Sequence, residues 1–278
     1  MSLLPEWDPR RLEEKIPFNL ALCGGRRQGK STSLADLLHR MSSRFALVVA
    51  FIGSAACNPV LEELMSLNWD PRFFFPRWRP DLIEKLLEQQ EALKRKGKSR
   101  QILIVIDDVI LDGPAVKQLS NMAMRGRHFN ISLAACAVSY VSLPKAVRRS
   151  LDCLMLFSCP MAGDLKVLTW EFARKAAMAR FALDRLEPFE CLVLETLQRR
   201  QELFNWKARH LTVESLRAET SEAPEQTGRS GSPGARGSGA ESPEAARPRA
   251  RSGSACSTQS SAGAPPAPTC PPETPDLP

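Results

Sequence analysis

Apolar residues along this chain follow two spacings. Nearly continuous apolar runs occur at residues 18–23, 45–52, 102–106, 131–136 and 153–157. Each has the length of a strand, and the lack of polar alternate positions predicts strands buried on both faces. Between them, residues 33–41, 81–95, 115–125 and 164–183 place apolar side chains three or four apart, the period of a helix. Buried strands alternating with helices predict an α/β fold of three layers, α/β/α, around a mostly parallel central sheet.

From about Glu219 this pattern gives way to Ser, Pro, Gly, Ala and Arg, as in Arg229-Ser230-Gly231-Ser232-Pro233. Such a stretch has too little apolar bulk to offset the entropy of ordering it. The expected organisation is a folded domain over residues 1–215 and a disordered Ser/Pro/Gly/Arg-rich tail over 216–278. The chain has 278 residues, 43% of them apolar and 25% charged, which is enough for one sizeable core. A net charge of +7 favours an anionic partner without naming one. The 8 cysteines are scattered, with no CxxC pair and no clustered histidines, so neither a zinc site nor a disulfide framework is expected. Residues 1–15 lack the apolar core of a targeting segment, and no run approaches the roughly eighteen apolar residues of a membrane span. A soluble, intracellular protein is expected.

The chemistry concentrates after the first apolar run. Gly24-Gly25-Arg26-Arg27-Gln28-Gly29-Lys30-Ser31 satisfies GxxxxGK[ST] between a strand-like and a helix-like segment, the context a triphosphate cradle requires. Gly24 and Gly29 let the backbone fold its N–H groups around phosphates, and the helix that follows, with Thr32 in its first turn, presents the positive end of its dipole. Lys30 would bridge the β- and γ-phosphates of ATP, and the Ser31 hydroxyl would hold Mg²⁺. The third apolar run ends in Asp107-Asp108. Asp107 is the metal-side carboxylate at the carboxyl edge of the sheet, and Asp108 is the candidate to orient or deprotonate the attacking water. Two segments carry candidates for sensing the γ-phosphate: Arg125, Arg127 and His128 before the fourth strand, and Arg148 after it. Arg148 is the stronger candidate for an arginine finger, a surface helix residue being the alternative.

With these residues assembled, the chain resembles the FtsK/HerA-type DNA-packaging ATPases of large double-stranded DNA viruses and related virus-like mobile elements. The likeness runs over residues 16–210. It takes in the phosphate loop, Cys57-Asn58-Pro59, Phe73-Phe74-Phe75 before the Gln89-Gln90 helix and the Asp107-Asp108 strand. It continues through Gly126-Arg127-His128-Phe129-Asn130-Ile131-Ser132, residues 140–148, residues 190–195 and Phe204-Asn205-Trp206-Lys207-Ala208. The resemblance implies an ATP-driven motor, a homo-oligomeric ring that threads double-stranded DNA into a capsid at a virus assembly site. It gives Lys30, Ser31, Asp107 and Asp108 the roles above and lets Arg148 act on a neighbouring subunit's nucleotide; Arg125 and Arg127 would face nucleotide or DNA. The chain departs from the family where a polar residue, usually Gln, ends the fourth strand: Val138 and Ser139 stand there. That departure keeps open a nucleotide-binding structural protein with weakened turnover. A small-molecule kinase fits less well, because no Arg-rich lid separates the third and fourth strands.

Overall fold

All five apolar runs are strands in the computed structural model, which describes residues 4–53, 58–158, 162–172, 176–197 and 200–222. In chain order the elements are α1 (Arg10–Glu13), β1 (Asn19–Cys23), α2 (Lys30–Arg40), β2 (Leu47–Ile52), α3 (Pro59–Asn68), β3 (Phe74–Phe75), α4 (Pro80–Arg95), β4 (Ile102–Asp107) and α5 (Gly113–Arg125). Then follow β5 (Ile131–Ala137), α6 (Lys145–Arg149), β6 (Cys153–Leu156), α7 (Ala162–Glu171), α8 (Ala176–Leu183), β7 (Glu190–Leu197), β8 (Arg200–Lys207) and α9 (Val213–Glu222). Helix starts are written locally. Asn58 accepts from Leu61 N at 3.2 Å and Asp112 from Ala115 N at 2.8 Å, each with a proline in the first turn, whose missing N–H costs nothing there.

The strands form one eight-stranded sheet in the order β3-β2-β4-β5-β1-β6-β7-β8. Strands β1 to β6 run parallel, and β7 and β8 add an antiparallel flank. Successive side chains of a strand point to opposite faces, and here both faces are buried. Ala21, Val49, Ile104, Leu133 and Leu154 pack under α4, α5 and α7, while Leu20, Val48, Leu103, Ala134 and Met155 pack under α2, α3 and α9. This is the three-layer arrangement expected from the apolar runs.

Two segments differ from expectation. Residues 164–183 do not form one helix but two, α7 and α8. Leu168, Phe172, Ala179 and Leu183 are all buried and keep helical spacing across the division, so periodicity could not reveal it. Residues 190–197 and 200–207, not read as strands, form the antiparallel pair β7–β8. Cys191 and Val193 are buried on one face, Leu192 and Leu194 on the other, which erases the alternation that marks a half-exposed hairpin. The N-terminal segment covers the outer edge of β8, with Trp7 N donating to Asn205 O at 2.8 Å and Asn205 N to Pro5 O at 2.9 Å. Helix α9 crosses the boundary expected at residue 215, and the tail beyond 222 lies outside the described residues, as does Cys57 of the sequence motif. No helix among the described residues is long and apolar enough to cross a membrane.

Candidate nucleotide site

Parallel pairing brings the functional segments to one edge. Cys23 of β1 is level with Ala137 of β5 and Leu156 of β6, and Asp107 of β4 with Ile52 of β2. The loops that follow these residues therefore meet along the carboxyl edge of the sheet, where open α/β folds bind ligands. Since β5 lies between β1 and β4, the end of β5 is flanked by the phosphate loop on one side and the carboxylate pair on the other.

The loop itself is shaped by glycine. Gly29 takes φ 100° as the N-cap of α2, a left-handed conformation that a side chain resists. A Cβ at Gly24 would stand 2.6 Å from Phe157 Cβ, so only glycine lets the loop lie this close to the end of β6. Arg26 and Arg27 are exposed at the crest, Arg27 with φ 60°, while Gly25, Gln28 and Thr32 are half-buried. Lys30 folds over its own loop, its ammonium donating to Gly24 O at 2.9 Å and Gly25 O at 2.7 Å. A cation held by two neutral carbonyls has no carboxylate partner to give up when a phosphate arrives.

Ser31 and Asp107 converge from different elements. The Ser31 hydroxyl donates to Asp107 Oδ2 at 3.0 Å. Burial raises the Asp107 carboxyl above the ordinary aspartate value, and Asp108 adds to that; Ser31, the Cys136 thiol and Lys30 act against it without cancelling it. Burial likewise pushes the Cys136 thiol far up, and the neighbouring Asp107 pushes it further. A hydroxyl and a buried carboxylate brought together from α2 and β4 fit a hard divalent cation, and Mg²⁺ requires only one or two protein carboxylates beside phosphates and water. Among the described residues no group of three or more His, Cys, Asp or Glu side chains is arranged to hold a metal ion by itself.

Asp108 is exposed and sits at φ 53°, where the chain turns out of β4. Asp tolerates this conformation better than most residues. The turn is fitted to Gly53, whose N–H donates to Asp107 O at 2.9 Å and where a Cβ would lie 1.9 Å from Asp108 O. Gly53 is a site-shaping residue that the sequence did not single out, because its partner is 55 positions away.

The remaining candidates are placed differently from one another. Arg148 is enclosed in its own chain: Nη1 is 2.9 Å from Glu171 Oε1, the guanidinium lies 5.2 Å from the Tyr140 ring, and the side chain is 12% exposed. Tyr140 donates its hydroxyl to the other Glu171 oxygen at 2.6 Å, and burial raises that phenol far above its usual range. Ser139 donates to Asp164 Oδ1 at 2.7 Å, and Asp164 also accepts from Tyr140 N and Val141 N, so the loop after β5 is tied to α7. Arg127 is not brought to the site. It lies before β5, at the amino edge, where it pairs with Asp152 at 2.5 Å. Arg125 ends α5 beside it and His128 is exposed on the same turn, so all three are a strand's length from the phosphate loop.

The fold with this site at its edge is similar to the DNA-packaging ATPase B204 from Sulfolobus turreted icosahedral virus. The TM-score is 0.52 at 12% identity, covering 71% of this chain and 99% of that one. This is a P-loop ATPase fold. The genome packaging NTPase B204 of Sulfolobus turreted icosahedral virus 2 in complex with ATP-gammaS aligns with TM-score 0.49 and 14% identity over 71% of this chain and 98% of that one. The pCW3 conjugation coupling protein TcpA aligns with TM-score 0.49 and 13% identity, over 78% and 75%. No family model and no curated protein matches the sequence. The three-layer fold read from the apolar pattern thus has a counterpart among solved structures at low identity, and within it the sequence-read residues Lys30, Ser31, Asp107 and Asp108 stand along one edge.

Proposed function

We propose that this chain is an ATP-hydrolysing motor that translocates double-stranded DNA into a capsid, working as a homo-oligomeric ring. The observation that carries the reading is the junction of Ser31 and Asp107 at 3.0 Å beside a lysine folded over a glycine loop. In that reading Lys30 exchanges its carbonyl partners for the β- and γ-phosphate oxygens of ATP. Ser31 and Asp107 hold Mg²⁺, which when bound neutralises phosphate charge. Asp108, at the turn out of β4, orients the attacking water or accepts its proton. Arg148 reaches a transferring phosphoryl group only by leaving Glu171, so a role in a neighbouring subunit's site requires that pair to open. The likeness to a packaging ATPase and the net charge of +7 support DNA as the substrate and virus assembly as the setting.

A second reading is favoured by the end of β5. Val138 is 47% exposed there, and the Ser139 hydroxyl is engaged with Asp164. A site with no free polar group at this position fits a nucleotide-binding structural protein with weakened turnover. Steady-state phosphate release with and without long duplex DNA, on wild type and Lys30→Ala with particle size measured alongside, separates the two. The motor requires DNA-stimulated release that Lys30→Ala abolishes; nucleotide binding without release on any DNA supports the weakened protein.

A further inference from the structure

The phosphate loop lies between two phenylalanines of opposite character. Phe157, against Gly24, is completely buried. Phe189, against Gly29, is 46% exposed: a Cβ on Gly29 would meet its Cδ1 at 2.9 Å and its Cα at 3.2 Å. Phe189 also has φ 65°, an outlier for a bulky aromatic residue. The turn that imposes this conformation is held by its neighbours. Glu190 N donates to Glu187 O at 3.0 Å, Glu187 N donates to Glu190 Oε2 at 2.8 Å, and the other Glu190 oxygen accepts from Asn205 Nδ2. The chain therefore accepts backbone strain and exposed apolar surface together to keep one ring on the phosphate loop. Covering Gly29 does not require either, since a smaller side chain on a relaxed turn would do so. A partly exposed aromatic ring beside a triphosphate cradle suits the base of a nucleotide, which stacks on aromatic faces.

We propose that Phe189 is the platform on which the base of the bound nucleotide stacks. The proposal rests on the phosphate-loop reading and adds to it the source of affinity for the nucleoside. Stacking accepts any planar base. The site therefore prefers nucleotides over base-free triphosphate and discriminates little between adenine and guanine.

Titration calorimetry on the full chain with magnesium present tests this, using ATP, GTP and inorganic tripolyphosphate. Wild type is expected to bind ATP and GTP within a few-fold of each other and tripolyphosphate more weakly. Phe189→Ala is expected to weaken ATP binding roughly 5- to 150-fold, the range of one base–aromatic stack, and to leave tripolyphosphate binding within twofold. Phe189→Leu keeps an apolar cover over Gly29 without a flat face and is expected to weaken ATP selectively too, while Phe189→Trp restores it. Equal weakening of ATP and tripolyphosphate, or full ATP affinity in Phe189→Leu, overturns the platform. Wild type that binds tripolyphosphate as tightly as ATP overturns the platform alone; wild type that binds neither overturns the phosphate-loop reading as well.

Discussion

The two edges of the sheet differ in how their buried polar groups are satisfied. At the amino edge, Glu195 of β7 is fully buried, yet its carboxylate accepts from Trp7 Nε1 at 2.7 Å, pairs with Arg11 at 3.0 Å and has the Lys15 ammonium 2.9 Å away. Burial alone would raise this carboxyl, but the bonds from Arg11, Trp7 and Lys15 outweigh it and hold it below the ordinary glutamate value. Asn19 at the same edge is equally well satisfied, by Ala123 O at 2.8 Å and Ser150 O at 3.0 Å. At the carboxyl edge, Asp107 is raised, Arg27, Asp108 and Phe189 sit at positive φ, and Ile110, Val138 and Val141 are exposed. The amino edge pairs its buried polar groups, although Asn130 takes φ 57° and burial raises Asp152 there; the carboxyl edge gathers three positive-φ residues, a raised carboxyl and exposed apolar side chains in one place. Positive-φ residues clustered around a glycine loop and a carboxylate pair make the carboxyl edge the candidate for chemistry.

The largest effect expected from this contrast is at Lys30. Lys30→Ala should lower ATP turnover by ~100-fold or more, the scale for removing one charged transition-state contact, with little change in melting temperature. Phosphate release and a thermal melt on the same sample check it, and a large loss of stability would blur the distinction between the edges. Glu195→Gln should do the reverse. Removing a buried carboxylate charge shared by half-exposed Arg11 and largely buried Lys15 should cost about 2–3 kcal/mol in urea unfolding while ATP turnover per folded molecule stays near wild type. Gly53→Ala drives a methyl into Asp108 O, so the turn carrying both carboxylates must shift. Turnover should fall roughly 10-fold, with about 1–3 kcal/mol of destabilisation.

The smallest effect is in pH dependence, where the two carboxylates should give opposite slopes. The Glu195 carboxyl is held low, so the unfolded chain binds the extra proton; its contribution is present above the ordinary glutamate value and is lost as pH falls through the folded one. Asp107 is held high, so the folded chain binds the proton, and its contribution is lost as pH rises through the folded value. Melting curves across acid to neutral pH should therefore show Glu195→Gln converging on wild type at low pH. Asp107→Asn should gain on wild type as pH rises. Parallel curves for either variant would remove the electrostatic difference between the edges.

The part of the site that was legible from sequence is the part written contiguously. Gly24 to Ser31 is one loop whose candidate role follows from residues within eight positions of one another, and Asp107-Asp108 closes a strand that its apolar run announces. Arg127 shows the limit: its position before a strand is readable, but which edge that strand start occupies relative to the loop depends on β5 pairing parallel to β1. Arg148 shows another, since nothing near it in sequence indicates that Glu171 and Tyr140 enclose it. Gly53, Cys136, Asp164 and Phe189 went unread because each acts through a residue distant in the chain.

What the sequence by itself determined is the set of elements with a local period and the phosphate loop with its carboxylate pair. Helical and strand spacing, capping residues and a glycine-shaped turn act over a few residues, so a linear reading captures them. Tertiary structure alone decided that β5 separates β1 from β4, that residues 190–197 and 200–207 close the sheet as an antiparallel pair, and that Phe189 lies on Gly29. Those outcomes come from packing between residues far apart in the chain, where burial on both faces removes the polar alternation that a sequence would otherwise display.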